Sequence, residues 1–168
     1  MEIIKKMLEE KRPNNWEDIP DIDLYMDQVL SYMTRQHVGL ELDENLTSAM
    51  VNNYMKKDLL PRAKGKKYDR QHIAYLTAIC LLKQVLSVTD AGELLKLHIK
   101  ERKEEQVQAF YEKYMETMDQ EFCEISAAID EEADQEQLAD LALRLAVSSY
   151  GQKLACQQIL EKLEKGEK

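Results

Sequence analysis

The sequence predicts a mainly α-helical fold, in which a winged helix-turn-helix module with a short β-hairpin precedes long C-terminal helices. The 168 residues include only five Gly and three Pro and are rich in Leu, Glu and Lys, a composition of high helix propensity. Apolar residues recur at intervals of three and four in several segments, which is typical of amphipathic helices. Helix-period segments therefore occupy most of the chain, and one charged stretch with a central Gly interrupts them.

Length and composition bound the class of protein. A chain of this length suits one domain or two small ones, and 44% hydrophobic content is enough for a buried core. No apolar run reaches the length of a membrane span, and the opening MEIIKKMLEEKRP lacks the apolar core and cleavage site of a secretory signal. We expect a cytoplasmic protein without a membrane partner.

The three cysteines are predicted to be reduced core residues. Cys80, Cys123 and Cys156 lie far apart among apolar helical residues, with no C-x-x-C pair and no His at ligand spacing. A free Cys usually behaves as a small buried hydrophobe. We therefore predict no metal and no thiol chemistry at these positions.

The first segment is expected to be a short helical arm followed by helix one. Residues 1–12 have a helical composition, Pro13 breaks the pattern, and the lone Trp16 is expected to anchor the arm on the core. Just after Pro20, apolar residues recur at i, i+3, i+4 and i+7 and predict a helix that starts near Asp21. Its buried face is predicted to carry Ile22, Tyr25, Met26, Val29, Leu30 and Met33.

A second helix and a tight turn follow. The period is lost in RQHVGLELDEN, after which Leu46 or Thr47 can cap a helix that ends near Lys57. Its apolar side is predicted to carry Met50, Val51, Tyr54 and Met55. Pro61 forbids simple continuation, and Lys64-Gly65 between short flanks predicts a small β-hairpin, because Gly tolerates positive φ.

Two further helices complete the N-terminal half. Asp69 is a good N-cap for a third helix that runs to about Gln84. The buried stripe of that helix is predicted to carry Ile73, Leu76, Ile79, Cys80 and Val85. Ser87 and Asp90 stand at capping-box spacing and start a fourth helix, which Gly92 weakens slightly. Its apolar residues are Ala91, Leu94, Leu95 and Leu97.

Two long helices are predicted beyond His98. Residues 101–131 contain no Pro or Gly and predict a helix of about 45 Å, longer than the N-terminal module is expected to cover, so its apolar face needs another partner. Asp134 and Gln137 form a capping box for a second long helix. The two long helices are expected to form either a helical hairpin or a longer coiled-coil arm. Gly151 is expected to mark either a kink or a close helix crossing. The pattern leaves both choices open.

Positive charge is concentrated in one segment. Residues 56–70 hold seven basic and two acidic residues, a net charge of +5, so a chain of net charge -9 carries -14 elsewhere. The order helix, charged hairpin, helix is that of a winged helix-turn-helix, which places one helix in a DNA groove and a loop on the backbone. The alternative is that these lysines form a solvated face on an exposed hairpin.

On the first interpretation, each polar residue of the segment has a role. Long cationic side chains around the turn, at the helix end and at the wing base can reach phosphates, and Ser or Asn on the polar face of helix two can contact base edges. Carboxylates on distant helices are screened within about 8 Å at physiological salt. The predicted DNA-binding residues are Ser48, Asn52, Asn53, Lys56, Lys57, Arg62, Lys64, Lys66, Lys67 and Arg70.

The stretch LTSAMVNNYMKKDLLPRAKGKKYDRQHIAYLTAICLLKQVLSVTDAGELL resembles the DNA-binding region of MerR-type regulators. The shared features are Tyr54 before Leu-Leu-Pro, a wing, Tyr68 with a capped helix, and the S-V-T-D start of a fourth helix. More closely, residues 16–125, with MVNNYMKKDLLPRAKGKKYDRQHIA at their centre, resemble the bacterial domain of unknown function 1836 family. Asn52 stands where MerR regulators carry the recognition-helix Arg, and Asp58 replaces a Gly.

The resemblance implies a MerR-like winged fold, transcriptional regulation, and dimerisation through a long helix after the module. The expected organisation is a residue 1–15 arm, a residue 16–98 winged module and a residue 99–168 helical dimerisation or regulatory region. The dimer contacts expected on the first long helix are Phe110, Tyr114, Met118, Phe122 and Ile125. The expected partners are double-stranded DNA, a second copy of the chain and an unidentified effector or protein.

A non-catalytic helical adaptor is the competing interpretation. Helix-in-groove binding uses the same apolar stripes, so the long C-terminal helices suit either function. The sequence has no phosphate-cradling Gly-rich loop, no H-E-x-x-H and no nucleophile motif, so we expect no enzyme and no cofactor. His72, expected in the first turn of helix three, is interpreted as structural.

Overall fold

A computed structural model describes residues 1–10, 12–36, 46–130 and 132–166. Within them the protein is mainly helical with one two-stranded antiparallel sheet, which confirms the predicted class at that level. The elements are α1 (Glu2–Glu10), a 3-10 turn (Trp16–Asp18), β1 (Leu24–Tyr25), α2 (Met26–Arg35), α3 (Ser48–Lys56), β2 (Lys67–Tyr68), α4 (Arg70–Leu82), α5 (Val88–His98), α6 (Glu104–Ala127) and α7 (Gln135–Lys165).

Helix one begins later than predicted. Leu24 and Tyr25 form a strand that pairs with β2, so α2 starts at Met26 rather than near Asp21. The backbone N–H of Tyr25 is capped by the Gln28 side chain at 2.8 Å, which defines the start of the helix. Ile22 and Tyr25 consequently lie exposed instead of on the buried face. Strand pairing with a distant segment overrides the local helical period here.

The next three helices confirm their predicted starts. Each is capped by the side chain of a residue chosen from the sequence: Thr47 for α3, Asp69 for α4 and Ser87 for α5. Helix α4 ends at Leu82 instead of near Gln84, so Val85 falls in the following turn and is exposed rather than buried. The segment RQHVGLELDEN lies almost wholly outside the described residues.

Helix α4 is the centre of the core. Residues 72–80 are buried at every position, which is the pattern of a helix covered on all sides rather than on one stripe. It contacts α2, α5, α6 and β2. From the N-terminal segment, Trp16 packs into the same core at 4% exposure, which confirms its predicted role as an anchor.

Helix α6 packs on α4 of the N-terminal module and also on α1 of the N-terminal arm, so its further partner lies outside the module but within the same chain. Its buried residues include Val107, Tyr111 and Met115. The Tyr111 hydroxyl donates to the Asn14 carbonyl at 2.7 Å. The N-terminal arm thus covers the length of helix that the module alone would leave open.

Helix α7 returns to contact α5, so it does not continue α6 as a straight arm. Near its C-terminal end, Cys156 and Leu160 pack with Leu86 and Ala91. The helix passes through Gly151 without interruption, and no atom of the described chain outside its neighbours would meet a Cβ there. Neither a break in the helix nor a close crossing within this chain therefore accounts for that glycine.

The cysteines depart from their predicted burial. All three are free; Cys80 is buried and Cys156 half-buried, but Cys123 on α6 is exposed, because it lies on the side of α6 away from α4. Burial raises the pKa of the Cys80 thiol to about 11. Among the described residues, no helix has both the length and the apolarity to cross a bilayer.

Candidate nucleic-acid interface

The predicted tight turn is present at the tip of a hairpin. Lys64 and Lys67 exchange two backbone hydrogen bonds of 3.0 Å, and the residues between them, Gly65 and Lys66, have φ of +57° and +67°. Positive φ at both central positions is the type I′ geometry of two-residue hairpins. The turn leaves Lys64 with 81% of its side chain exposed.

Strand β1 holds this hairpin against the module. Beyond the turn, Lys67 and Tyr68 pair with Tyr25 and Leu24, which precede α2. Tyr68 is buried, while the Lys67 ammonium lies 5.4 Å from the centre of the Tyr25 ring. A segment more than forty residues upstream therefore positions the hairpin, which local patterning could not show.

Helix α3 presents a polar face beside the hairpin. Val51 and Tyr54 are buried in the core, whereas Ser48, Asn52 and Asn53 are exposed. These three side chains make no hydrogen bond to the rest of the described chain. They are therefore available for an external partner, as the sequence interpretation required.

A groove of about 630 Å³ runs between α3 and the hairpin. Its polar lining comes from four of the predicted residues, and these are Asn52, Lys56, Arg62 and Lys66. Its apolar lining consists of Met26, Met55, Ala63 and Tyr68. The fold thus gathers cations that stand up to ten positions apart in the sequence around one concave surface.

The cations of this groove are not neutralised within the described chain. Lys56, Arg62 and Lys66 form no ion pair there, and neither does the neighbouring Lys57. Lys64 differs, because its ammonium lies 3.5 Å from a carboxylate oxygen of Asp69. An exposed pair of this kind stabilises by at most about 1 kcal/mol, so it can be exchanged for another anion.

Arg70, predicted with the DNA-binding set, has partners within the fold. Its Nε donates to the Ile19 carbonyl at 3.1 Å, and its guanidinium lies 5.5 Å from the Trp16 ring centre and 4.0 Å from Asp21. Only 19% of its side chain is exposed. Arg70 therefore ties the segment before β1 to the start of α4, next to the strand that pairs with the hairpin.

The two carboxylates of the basic segment, Asp58 and Asp69, also have partners outside that segment. Asp69 caps α4 and lies 2.6 Å from Nδ1 of the buried His72, and this hydrogen bond lowers the pKa of Asp69 from 3.8 to about 2. Asp58 adopts φ of +59° and pairs with Arg102 at 2.9 Å. His72 thus has the structural role that the sequence suggested.

Arg102 is the residue that sequence reasoning missed. It lies in the turn before α6, its own φ is +52°, and its guanidinium also donates to the Asp58 carbonyl at 2.7 Å. Its positive charge partly offsets that of the Asp58 carboxylate, which stands next to Lys56 and Lys57 in the sequence. No local pattern pointed to it, because the two segments are forty-four residues apart.

The predicted dimerisation residues lie on one side of α6, against its own chain. Met118 is buried, and Phe110, Tyr114 and Phe122 are partly buried against the core. The four line an apolar groove of about 340 Å³ between α4, α5 and α6. Ile125 is half-buried. Contact of these residues with a second copy stays a prediction.

The comparisons with known proteins place most of the chain in one family. A family model described as "Domain of unknown function (DUF1836)" matches residues 14–114, a range that covers the polar groove, the hairpin and the first half of α6. Neither the curated proteins nor the solved structures give a significant match.

Proposed function

The chain belongs to the family described as domain of unknown function (DUF1836), and on that premise we propose that its matched region binds double-stranded DNA in a dimeric transcriptional regulator. The observation that carries the proposal is the groove between α3 and the hairpin. Three cations without an ion pair within the described chain and one exposed Asn converge there. A polyanion is the partner that such a surface suits.

The proposed architecture is a MerR-like winged helix-turn-helix. In it, α2 and α3 are the helix pair and the Lys64–Lys67 turn is the tip of the wing. An α-helix such as α3 is about 10–12 Å across with its side chains, and the major groove of B-DNA is about 12 Å wide, so the groove can admit it. The wing stands beside α3 because β1 immediately precedes α2 and pairs with β2.

The contacts divide into two kinds. The proposed base contacts come from Asn52, Asn53 and Ser48, since an Asn amide can bond to adenine through both of its polar atoms. The proposed phosphate contacts come from Lys56, Lys57, Arg62, Lys64, Lys66 and Lys67. Arg70 acts indirectly, by holding β1 in place.

Electrostatics favours this surface despite the net charge of -9. Arg102 neutralises Asp58 and the α4 start binds Asp69, so the acids closest to the groove are compensated. Salt screens the remaining negative charge of the chain over a length of about 8 Å. Same-sign repulsion is therefore weaker than the direct contacts of the groove cations.

The test is a fluorescence anisotropy titration with random duplex DNA at several salt concentrations. The variant Lys56→Ala/Arg62→Ala/Lys66→Ala should bind more than tenfold more weakly, and its log–log salt slope should be smaller by about 3, since each phosphate contact contributes about 0.9. The matched control Lys96→Ala/Lys100→Ala/Lys153→Ala removes the same charge at exposed positions outside the groove. It should change affinity little.

Two outcomes would contradict DNA binding: a flat salt response of the unmodified protein, or an equal loss in both triple variants. Selection of bound fragments from random duplexes then tests whether the protein recognises a defined target site, as a regulator would. Enrichment of a palindrome supports it, and Asn52→Ala should relax the preference at one position by about 1–3 kcal/mol.

An adaptor function is the second candidate. The observation that favours it is the apolar groove lined by Phe110, Tyr114, Met118 and Phe122, whose size is that of a site for a helix or a small apolar molecule. An adaptor would show neither a salt-dependent DNA titration nor an enriched palindrome.

A further inference from the structure

Helix α7 carries two apolar faces, and only one of them contacts the part of the chain that the structure describes. Toward α5 it packs through Cys156 and Leu160, and Leu160 is its one buried residue among those described. A second face remains in solvent. Its large apolar residues are Leu143, Val147, Tyr150 and Leu154, exposed by 65%, 64%, 64% and 44%.

These four residues, termed here the α7 seam, form one narrow stripe. At about 100° per residue they fall within an arc of about 60°, and their mean direction is about 150° from that of Cys156. The seam therefore points away from the body of its own chain. Its spacing of four, three and four residues is the heptad spacing of helices that pair side by side.

We propose that the α7 seam pairs with the α7 seam of a second copy, antiparallel and about a two-fold axis. The spacing four, three, four is the same read in either direction, as an antiparallel two-fold contact requires. An axis midway between Val147 and Tyr150 sets these two residues against each other across the interface. The same axis sets Leu143 against Leu154.

The charge distribution along α7 favours the antiparallel arrangement. Residues 134–144 hold three acidic residues and one basic residue, a net charge of -2, whereas residues 153–165 hold three basic and two acidic, a net charge of +1. Antiparallel pairing places each acidic half beside the other copy's basic half, and it also opposes the helix dipoles. Parallel pairing would place the two acidic halves together.

Gly151 is an independent indication that another chain approaches here. It lies in the interior of an exposed helix, where Gly is less favourable than Ala by about 1 kcal/mol, and a Cβ at this position would meet no described atom outside its own helix within 4 Å. Packing among the described residues gives no reason for this glycine. In the antiparallel register, Arg144 of the second copy lies over Gly151, so a long side chain faces the smallest one.

The proposed contact is of modest size. Four apolar residues per copy bury less area than a standard interface, which buries about 1,200–2,000 Å². We therefore expect a dimer with a micromolar dissociation constant. Attachment of the α7 C-terminal end to α5 limits the entropy that the helix loses on pairing. The inference gives the dimer of the proposed function an interface, but it is measured without DNA, so either proposal can fail alone.

The first experiment is sedimentation equilibrium of the full chain over a wide range of concentrations. The unmodified protein should dimerise, and Val147→Glu/Tyr150→Glu should stay monomeric, with at least a hundredfold weaker association, because it buries charge at the centre of the seam. The control Ser148→Glu/Ala155→Glu adds the same charge to an exposed third face of α7 and should still dimerise. Circular dichroism establishes that both variants retain their helix content.

The second experiment tests the orientation. In a background of Cys123→Ser/Cys156→Ala, a mixture of Leu143→Cys and Leu154→Cys chains should form a mixed disulfide, since the antiparallel register brings these positions within bonding reach. In a parallel pair they stand about 16 Å apart along the axis. The proposal is overturned by a monomeric unmodified protein, by a Val147→Glu/Tyr150→Glu variant that still dimerises, or by disulfides within each variant and none between them.

Discussion

Helices α6 and α7 have similar sequences in outline and opposite environments. Both are long, both carry apolar residues at threes and fours, and both have acidic residues in their first turn. In α6 the apolar face is buried by its own chain. Val107, Tyr111 and Met115 are buried there, and the helix packs on α4 and α1. In α7 Leu160 alone is buried among the described residues, and a full apolar stripe remains exposed.

Apolar periodicity therefore predicts which face of a helix will pack, but it does not predict which surface will cover that face. Because α6 is more buried than α7, it should contribute more to the free energy of unfolding. Substitutions in α6 should change the free energy of unfolding of the whole fold, whereas equivalent substitutions in α7 should act on local stability or on association.

The largest contrast is expected between two tyrosines. Tyr111→Ala removes a side chain that is 1% exposed, together with its hydrogen bond to Asn14, and should lower the free energy of unfolding by about 3–5 kcal/mol. Tyr150→Ala removes one that is 64% exposed and should cost less than about 0.5 kcal/mol in the monomer. Urea denaturation at low protein concentration measures both. Similar losses would mean that α7 packs on the body as α6 does.

A smaller contrast is expected at the helix caps. Asp69→Ala, at the start of α4, should cost about 1–2 kcal/mol of global stability, because it frees the first amides of the central helix. Asp134→Ala removes the same type of cap from α7 and should mainly increase amide exchange in its first turn. A global loss as large as that of Asp69→Ala would remove the distinction between the helices.

The loss of stability caused by Asp69→Ala should also depend on pH. Its pKa is about 2 in the fold against an ordinary 3.8, so the ionised carboxylate stabilises the folded state above pH 3.8. That contribution is lost as the pH falls through about 2. The gap between the unmodified protein and Asp69→Ala should thus narrow in acid. Chemical denaturation at a series of pH values tests this, and a constant gap would show that the charge of Asp69 contributes nothing.

The smallest contrast concerns two helical glycines. Gly151→Ala meets open space and should stabilise monomeric α7 by about 1 kcal/mol, seen as reduced amide exchange. Gly92→Ala places its Cβ 3.0 Å from Cγ of the buried Leu59, so the strain should outweigh the gain and lower stability by about 1 kcal/mol. If Gly92→Ala also raised the stability, Leu59 would have to move aside for the new Cβ.

Much of the secondary structure could be predicted from the sequence, because capping and periodicity are local. Thr47, Asp69 and Ser87 cap the helices to which they were assigned, and the turn at Gly65 has the positive φ that favours glycine. The errors fall where distant segments meet. Pairing of β1 with β2 delays the start of α2, because its backbone hydrogen bonds come from residues more than forty positions away.

The candidate site was predictable in composition and not in geometry. Positive charge at 56–70 is visible in the sequence, but the selection of Lys56, Arg62 and Lys66 around one groove depends on how the hairpin folds beside α3. Arg70 belongs to the same charge run, yet its guanidinium is held by Ile19 and Trp16.

By itself, the sequence determined the helical class, most helix starts, the tight turn and the position of the basic segment, since these depend on backbone preferences and charges of near neighbours. Tertiary structure alone decided that Arg102 compensates Asp58 and that the apolar face of α6 is covered while that of α7 is left in solvent. The physical reason is that burial and ion pairing depend on which distant residues come within a few ångströms, and a one-dimensional pattern carries no record of that distance.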